Sequence, residues 1–348
     1  MGGSARFLGE CDNSDQWSVG GLRLHGRALL APMAGITDLP MRVLARRFGA
    51  TLTFSEMVAS KDVAQGGRES LLRAQGGGVT PHAVQIAGCE AEGLAETARW
   101  AEAEGAELID INMGCPAKRV VGGAAGSALM RDIDHAAGLI GAVVQAVGVP
   151  VSVKMRLGWD ESSRNAPDLA RRAQEEGAAM IVVHGRTRNQ FYKGEADWRA
   201  IRATVEAVRL PVVANGDCRC VEDARKMLAL SGAHAVMVGR AALGQPWLVG
   251  DIAHALTHGA ERPPLPTETR RAAAMEHYRG LLDLFGAAQG LRHARKHLAA
   301  YAEVAAAAGA PLDAAARRRL VESVEPAEVL DILAQLYATR PAREAEAA

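Results

Sequence analysis

From residue 28 to residue 239 short apolar runs alternate with longer stretches in which apolar positions recur at helical spacing. The runs 28–34, 51–58, 82–87, 108–113, 151–157, 180–186, 212–217 and 235–239 read as eight strands. Between them 39–48, 92–104, 167–176, 198–208 and 221–230 read as helices. Gly49, Gly105, Gly177 and Gly232 follow four of these, where a left-handed C-cap suits glycine. Strands alternating with helices over short connections imply a parallel sheet covered by helices. Eight such units fit an α/β fold closed into a (β/α)8 TIM barrel. The competing doubly wound open sheet lacks its usual sign, since no GxGxxG follows the first strand.

The pattern changes at 258–266, His-Gly-Ala-Glu-Arg-Pro-Pro-Leu-Pro, a stiff linker. Beyond it helices are read near 268–285, 290–308, 313–323 and 326–338, with Gly286 and Gly309 as stops, which predicts a small antiparallel helical bundle. The expected plan is an N-terminal extension over 1–24, a catalytic barrel over 25–257, the linker, a helical domain over 267–340 and a frayed tail over 341–348.

Composition narrows the class. With 49% hydrophobic and 23% charged residues the chain is an ordinary globular one, and at 4% aromatics its core must be aliphatic. Forty Lys and Arg balance forty Asp and Glu, so nucleic acid cannot be held by a general positive field and needs a local patch. Five cysteines, at 11, 89, 115, 218 and 220, have neither disulfide-framework nor zinc spacing, and a reducing cytoplasm is expected. The Cys218-x-Cys220 pair has no histidine nearby and reads as buried cysteines, with no metal expected. The polar start, 1–21, lacks the features of a signal peptide. The uncharged stretch 136–153 contains Gln145, three glycines and Pro150, so it reads as a helix end, a turn and a buried strand rather than a membrane span.

Polar residues gather where a barrel builds its site, at the C-terminal strand ends. They are Glu56, Gln85, Asp110, Asn112, Lys154, Arg156, His184, Arg186, Asn215, Asp217 and Arg240. Side chains alternate faces along a strand, so Lys154 and Arg156 share one face and require anionic partners if buried. Any one of these residues is explained equally well by a structural ion pair; the same arrangement on seven of the eight strands is not. The endings Asn215-Gly216-Asp217 and Val238-Gly239-Arg240 lie where such barrels bind phosphate, with glycine backbone able to approach the anion and Arg240 as counter-charge. A phosphorylated cofactor such as FMN fits there. Cys115 sits in the polar turn Asn112-Met-Gly-Cys-Pro116 just past the fourth strand, and alone reads as easily as a small buried hydrophobe.

The ordered series Ala31-Pro-Met-Ala-Gly-Ile-Thr-Asp38, Ser55-Glu-Met57, Val84-Gln-Ile86, Asp110-Ile-Asn-Met-Gly-Cys-Pro116, Val153-Lys-Met-Arg156, His184-Gly-Arg-Thr-Arg188, Asn215-Gly-Asp217, Val238-Gly-Arg240 and Gly244-Gln-Pro-Trp247 resembles the bacterial tRNA-dihydrouridine synthases, most closely the B subfamily, over roughly residues 25 to 300. The resemblance implies an FMN-dependent, NADPH-driven reduction of the C5–C6 bond of D-loop uridines, by a monomeric enzyme. It places Pro32, Met33 and Ala34 against the isoalloxazine, and Gln85, Lys154 and His184 at its polar edge. Asn112 orients flavin or base, and Asn215, Gly216, Asp217, Gly239 and Arg240 take the phosphate. Hydride goes from flavin N5 to uracil C6, and Cys115 matches the general acid that protonates C5; a free thiol, with a pKa of about 8.5, carries its proton at neutral pH.

A base inside folded tRNA must be turned outward to reach a barrel mouth, which calls for a grip on the backbone. Lys118, Arg119 and Arg186 near the mouth, and Arg292, Arg295 and Lys296 on one helix face, are the expected contacts, with Arg317-Arg318-Arg319 a second cluster. Three other readings stay open on the residues alone. Lys154 could be a Schiff-base lysine of an aldolase, the flavin site could serve free pyrimidines, or the chain could bind RNA without catalysis.

Overall fold

The computed structural model describes residues 16–337; Cys11 and the rest of 1–15, the last residue of the helix read at 326–338, and the tail 341–348 lie outside the described residues. The strands are β1 (Gln16–Val19), β2 (Leu22–His25), β3 (Ala28–Leu30), β4 (Leu52–Phe54), β5 (Val58–Ala59), β6 (His82–Ala87), β7 (Leu108–Met113), β8 (Val151–Arg156), β9 (Met180–His184), β10 (Val212–Asn215) and β11 (Ala235–Val238). From β3 onward all pair in parallel, and the pairings β3 with β11 and β4 with β6 close the sheet into a barrel. β4 and β5 are one barrel strand interrupted at Ser55–Met57, so the count of eight holds. At the break the Ser55 hydroxyl accepts from the Gln85 N–H at 3.0 Å, in place of a main-chain acceptor, and the buried Glu56 carboxylate accepts the Gly35 N–H.

The helices are α1 (Leu39–Arg47), α2 (Ser60–Ala64), α3 (Arg68–Ala74), α4 (Ala91–Ala103), α5 (Lys118–Val121), α6 (Ile133–Ala146), α7 (Ala166–Glu175), α8 (Arg202–Ala207), α9 (Val221–Ser231), α10 (Leu248–His258), α11 (Thr267–Phe285), α12 (Ala287–Ala307), α13 (Ala314–Glu322) and α14 (Pro326–Gln335). The stretch 136–153 resolves into the end of α6, a turn and the start of β8, and no helix among the described residues is long and apolar enough to cross a membrane.

Strand parity divides the barrel. Ile109, Ile111 and Met113 of β7 point outward into the layer beneath the helices, while Leu108 faces the interior. The interior is apolar at its floor, where Leu29, Leu52, Phe54, Leu108, Met180 and Met237 pack together. That floor is capped by Trp17, Val19 and Leu24 of the β1/β2 hairpin, fixed by the Trp17 indole N–H donating to the Gly26 carbonyl at 2.8 Å. The sequence offered no strand before residue 28, because two four-residue strands around a glycine pair are too short to show a period.

Above the floor the inward positions turn polar on five adjacent strands, β6 to β10, at Gln85, Asp110, Asn112, Ser152, Lys154, His184 and Asn215. Beyond the barrel α11 to α14 bury Tyr278, Leu281, Leu298, Tyr301 and Leu333, and this cluster also takes in Leu44 of α1 and Trp247. The helical region therefore shares a core with the barrel. Gly244 allows the approach: its φ is +76°, and a side chain there would lie 2.5 Å from the Ala300 backbone of α12.

Candidate active site

The polar inward residues join through the strand register. Gln85 stands opposite Asp110, and Asp110 opposite Ser152. The Gln85 amide donates to Asp110 Oδ2 at 2.7 Å, Ser152 Oγ donates to Oδ1 at 2.6 Å, and the Asn112 amide donates to Gln85 Oε1 at 2.8 Å. Asn112 Oδ1 in turn accepts the N–H of Gly114 at 3.2 Å and of Cys115 at 2.9 Å. A fully buried carboxylate is thus tied through two amides to the turn that carries the cysteine. Burial pushes the Asp110 carboxyl up to about 6, against the pull of Gln85, Ser152 and Lys154.

Lys154 is one strand over, its ammonium 3.1 Å from Asn215 Oδ1, and Asn215 is held by its own amide donating to the Met237 carbonyl at 2.8 Å. Burial brings the Lys154 ammonium down to about 8, while Asp110 works to keep its proton on. His184 follows on β9. Burial, then the cations Lys154, Arg156, Arg186 and Arg240, hold it well below its ordinary value. Arg186 Nη1 lies 3.3 Å from His184 Nε2, and guanidinium can only donate, so Nε2 is the bare nitrogen of a neutral ring.

These side chains surround one cavity of about 860 Å³ at the C-terminal mouth. Pro32, Met33 and Ala34 form one wall, Gln85, Asn112, Lys154 and His184 the base, and Asn215, Gly216, Asp217, Gly239 and Arg240 the far end, with Cys115 and Pro116 on the rim. Every cofactor residue expected from the sequence lines this space, as does Cys115. Gly216 is required by close packing. Its φ is +117°, and a side chain would come 2.8 Å from both His184 Cδ2 and Ala196 Cβ. Gly216→Ala is expected to destabilise the fold by about 1–3 kcal/mol, read as a lowered midpoint in urea; an unchanged midpoint would show that the loop yields without cost.

Four expectations change. Arg186, read as a tRNA contact, is 1% exposed. Its guanidinium donates to both Asp217 oxygens, at 2.5 and 3.1 Å, and to the carbonyls of Lys193 and Gly194, so it braces the phosphate-type loop from behind. Asp217 consequently meets Arg186 with its carboxylate, and Arg240 at 3.5 Å, so its charge is taken up by cations of the chain. Cys218 is buried as expected, its thiol pushed up to about 12 by burial, but Cys220 is exposed and caps α9, its sulfur accepting the Asp223 N–H at 3.5 Å. In the second arginine cluster Arg317 pairs with Glu303 at 2.9 Å and Arg319 approaches Glu328 at 3.7 Å.

Lys118 and Arg119 are exposed on α5 directly past Cys115, and Arg292, Arg295 and Lys296 are exposed on α12. Lys296 reaches back to the barrel, where a side chain at Gly35 would lie 2.5 Å from its Nζ.

Among the lining residues that received no role from the sequence, Arg156 and Tyr192 make specific contacts. Arg156 donates from Nε to the Gly114 carbonyl at 2.7 Å and from Nη1 to the carbonyls of Thr187 and Phe191, both at 2.9 Å, so it locks the cysteine turn to the loop after β9. Its inward parity was legible. Tyr192 is half exposed at the mouth, with the Arg156 and Arg240 guanidinium carbons 5.5 and 5.0 Å from its ring centre. Nothing in its local sequence signals that position.

Compared with known proteins, residues 29–340 match the family model described as dihydrouridine synthase. A protein of Rhizobium leguminosarum bv. phaseoli named probable tRNA-dihydrouridine synthase is 51% identical over 91% of this chain and 96% of its own. One of the same name from Rhodobacter capsulatus is 50% identical over 93% and 99%. The tRNA-dihydrouridine synthase B of Xanthomonas axonopodis pv. citri is 48% identical over 82% and 86%.

Proposed function

The chain belongs to the dihydrouridine synthase family, and on that premise we propose that it reduces D-loop uridines of tRNA to 5,6-dihydrouridine, using FMN in the barrel mouth and NADPH as reductant. The observation that carries this reading is one cavity that puts an apolar wall, a cationic base and a thiol rim together. The fit to a flavin mononucleotide is chemical. Met33 and its neighbours offer a flat apolar face, Lys154 a positive charge beside carbonyl-type acceptors, and the Gly216 and Gly239 ends room for a phosphate facing Arg240. When bound and reduced, the flavin supplies the hydride that goes to uracil C6.

The chain's own residues do the rest. Cys115 holds the proton that C5 requires, and Asn112 and Arg156 fix the turn that presents it. Lys154 opposes negative charge developing at the base of the cavity, where burial strengthens the interaction. Lys118, Arg119 and the exposed face of α12 grip the tRNA backbone on either side of the mouth, a task that places the enzyme in the cytoplasm. The helical region after the linker is, on this reading, the tRNA-binding domain.

The test is direct. Purified protein is expected to be yellow and to oxidise NADPH faster when unmodified tRNA is added, with dihydrouridine appearing in the digested nucleosides. A colourless protein that cannot be reconstituted with FMN, or turnover indifferent to tRNA, would sink the reading.

Lys154 also sets a pH dependence. Its charge is present below about 8 and lost as pH rises through that value, so the affinity of the apoprotein for FMN should decline several-fold between pH 7.5 and about 9.5. Lys154→Arg, which stays charged, should flatten the decline. Quenching of FMN fluorescence on binding measures both, and an equal slope in the two proteins would remove Lys154 from the flavin site.

A further inference from the structure

Three buried groups that the chemistry above leaves unused meet where the helical region touches the barrel. Asp38 ends the loop that follows β3, and its carboxylate lies between two imidazoles, His277 Nε2 at 3.2 Å from Oδ1 and His297 Nε2 at 3.1 Å from Oδ2. They are 3%, 1% and 2% exposed respectively. One imidazole comes from α11 and the other from α12, so a single barrel carboxylate is addressed by both long helices. Tyr301 Oη lies 3.0 Å from His277 Nδ1 and so fixes which nitrogen of that ring faces Asp38. His297 approaches off the line of a good hydrogen bond, and neither of its ring nitrogens has another partner. Burial works to raise the Asp38 carboxyl, but His277 and His297 more than offset it and hold it well below the usual range.

Asp38 is connected rigidly to the cavity. Its Oδ1 caps α1 by accepting the Met41 N–H at 2.9 Å. Its neighbour Thr37 accepts the Met33 N–H on Oγ1 at 2.9 Å and donates its own N–H to the Met33 carbonyl at 3.0 Å. Met33 is a wall of the cavity. The adjacent Gly35 N–H is taken by the buried Glu56 carboxylate, and Lys296, the residue before His297, stands over the same glycine.

We propose that Asp38, His277 and His297 form a buried latch that sets the helical region in register with the Met33 loop, so that tRNA held by the helices presents its base correctly to the cavity. These are positioning residues, acting through Thr37 and Met33. The kinetic half of the proposal rests on the tRNA-reducing reading above; the structural half does not.

The test compares His297→Leu and His277→Leu with His297→Gln, whose side-chain N–H can still reach the carboxylate. In apoprotein, amide hydrogen exchange is expected to rise at 33–38 and along the facing turns of α11 and α12 in the leucine variants, and to stay at the wild-type level in the glutamine variant. In flavin-loaded protein, kcat with tRNA should fall about 10- to 100-fold in the leucine variants, as expected of a misplaced reactant. The KM for tRNA and the flavin content should hold, and glutamine should restore kcat. Unchanged exchange at 33–38 in the leucine variants overturns the latch, as does a glutamine variant that exchanges like them. A wild-type protein inactive on tRNA but with the expected exchange pattern would instead refute the functional reading and leave the latch standing. The three groups also have the chemistry of divalent-cation ligands, their ligand atoms lying within 4.8 Å of one another. One equivalent of tightly held metal, lost in His297→Leu, would replace the latch by a metal centre.

Discussion

Cys115→Ala protein is expected to keep its flavin and its affinity for tRNA, yet to form dihydrouridine about 10²- to 10⁴-fold more slowly, the span that a positioned general acid usually supplies. The residue is well placed for so clean a loss. Its turn is held by the backbone and not by the thiol: the Cys115 N–H is bound by Asn112, and its carbonyl accepts from the Ser127 N–H at 3.1 Å and the Ser127 hydroxyl at 2.9 Å. Removing the sulfur leaves these bonds in place and deletes only the proton donor. Single-turnover measurement with pre-reduced enzyme and tRNA isolates the step. Cys115→Ser, a poorer acid of similar size, should fall between the two. Wild-type rates from the alanine protein would assign the proton to another group, and loss of flavin along with rate would mean that the sulfur is structural.

The barrel and its mouth were legible because both rest on a period of two. Once a strand is placed, parity decides that Asp110, Asn112, Lys154 and Arg156 face inward, and chain direction decides which end of the strand they occupy. What parity cannot reveal is which of those groups meet. Arg186 and Asp217 lie 31 residues apart, and only the fold makes them a bonded pair. An arginine beside a phosphate-type loop reads as an anion ligand until the carboxylate that consumes it is seen.

The same holds for Asp38 and its two histidines, separated by 239 residues in one case. In sequence Asp38 only closes the motif 31–38, and the structure makes it the cap of α1; the histidines are two polar residues on long helices. Cys220 shows the opposite limit. Its spacing from Cys218 suggested one environment for both, but α9 starts directly after Cys220, which leaves that sulfur at the helix cap while Cys218, two residues earlier, lies in the core.

Arg186→Met should be the most damaging change to the fold of the site. The side chains of Arg186 and Asp217 are 2% and 8% exposed, so methionine would leave the aspartate charge with only the exposed Arg240 guanidinium, 3.5 Å from Oδ1, a loss of about 2–4 kcal/mol. Two loop carbonyls, of Lys193 and Gly194, lose their donor at the same time. In the native protein burial works to raise the Asp217 carboxyl, while Arg186 and the Ala196 N–H pull it below its ordinary value, so the pair stabilises above the unfolded carboxylate range and weakens only as pH falls through the folded value. Without Arg186 the burial effect is left with fewer opponents and the folded carboxyl rises. The variant should then recover part of its stability relative to the wild type as pH is lowered from 7 to 5, a range in which the wild-type Asp217 stays ionised and contributes no change. Asp217→Asn in the Arg186→Met background should give much of the same recovery at pH 7, by removing a charge that Arg240 alone offsets only in part. Urea unfolding at the two pH values measures each case. Equal midpoints for Arg186→Met and wild type at pH 7 would mean that water reaches Asp217 and that the buried pair does not hold the loop between β9 and β10.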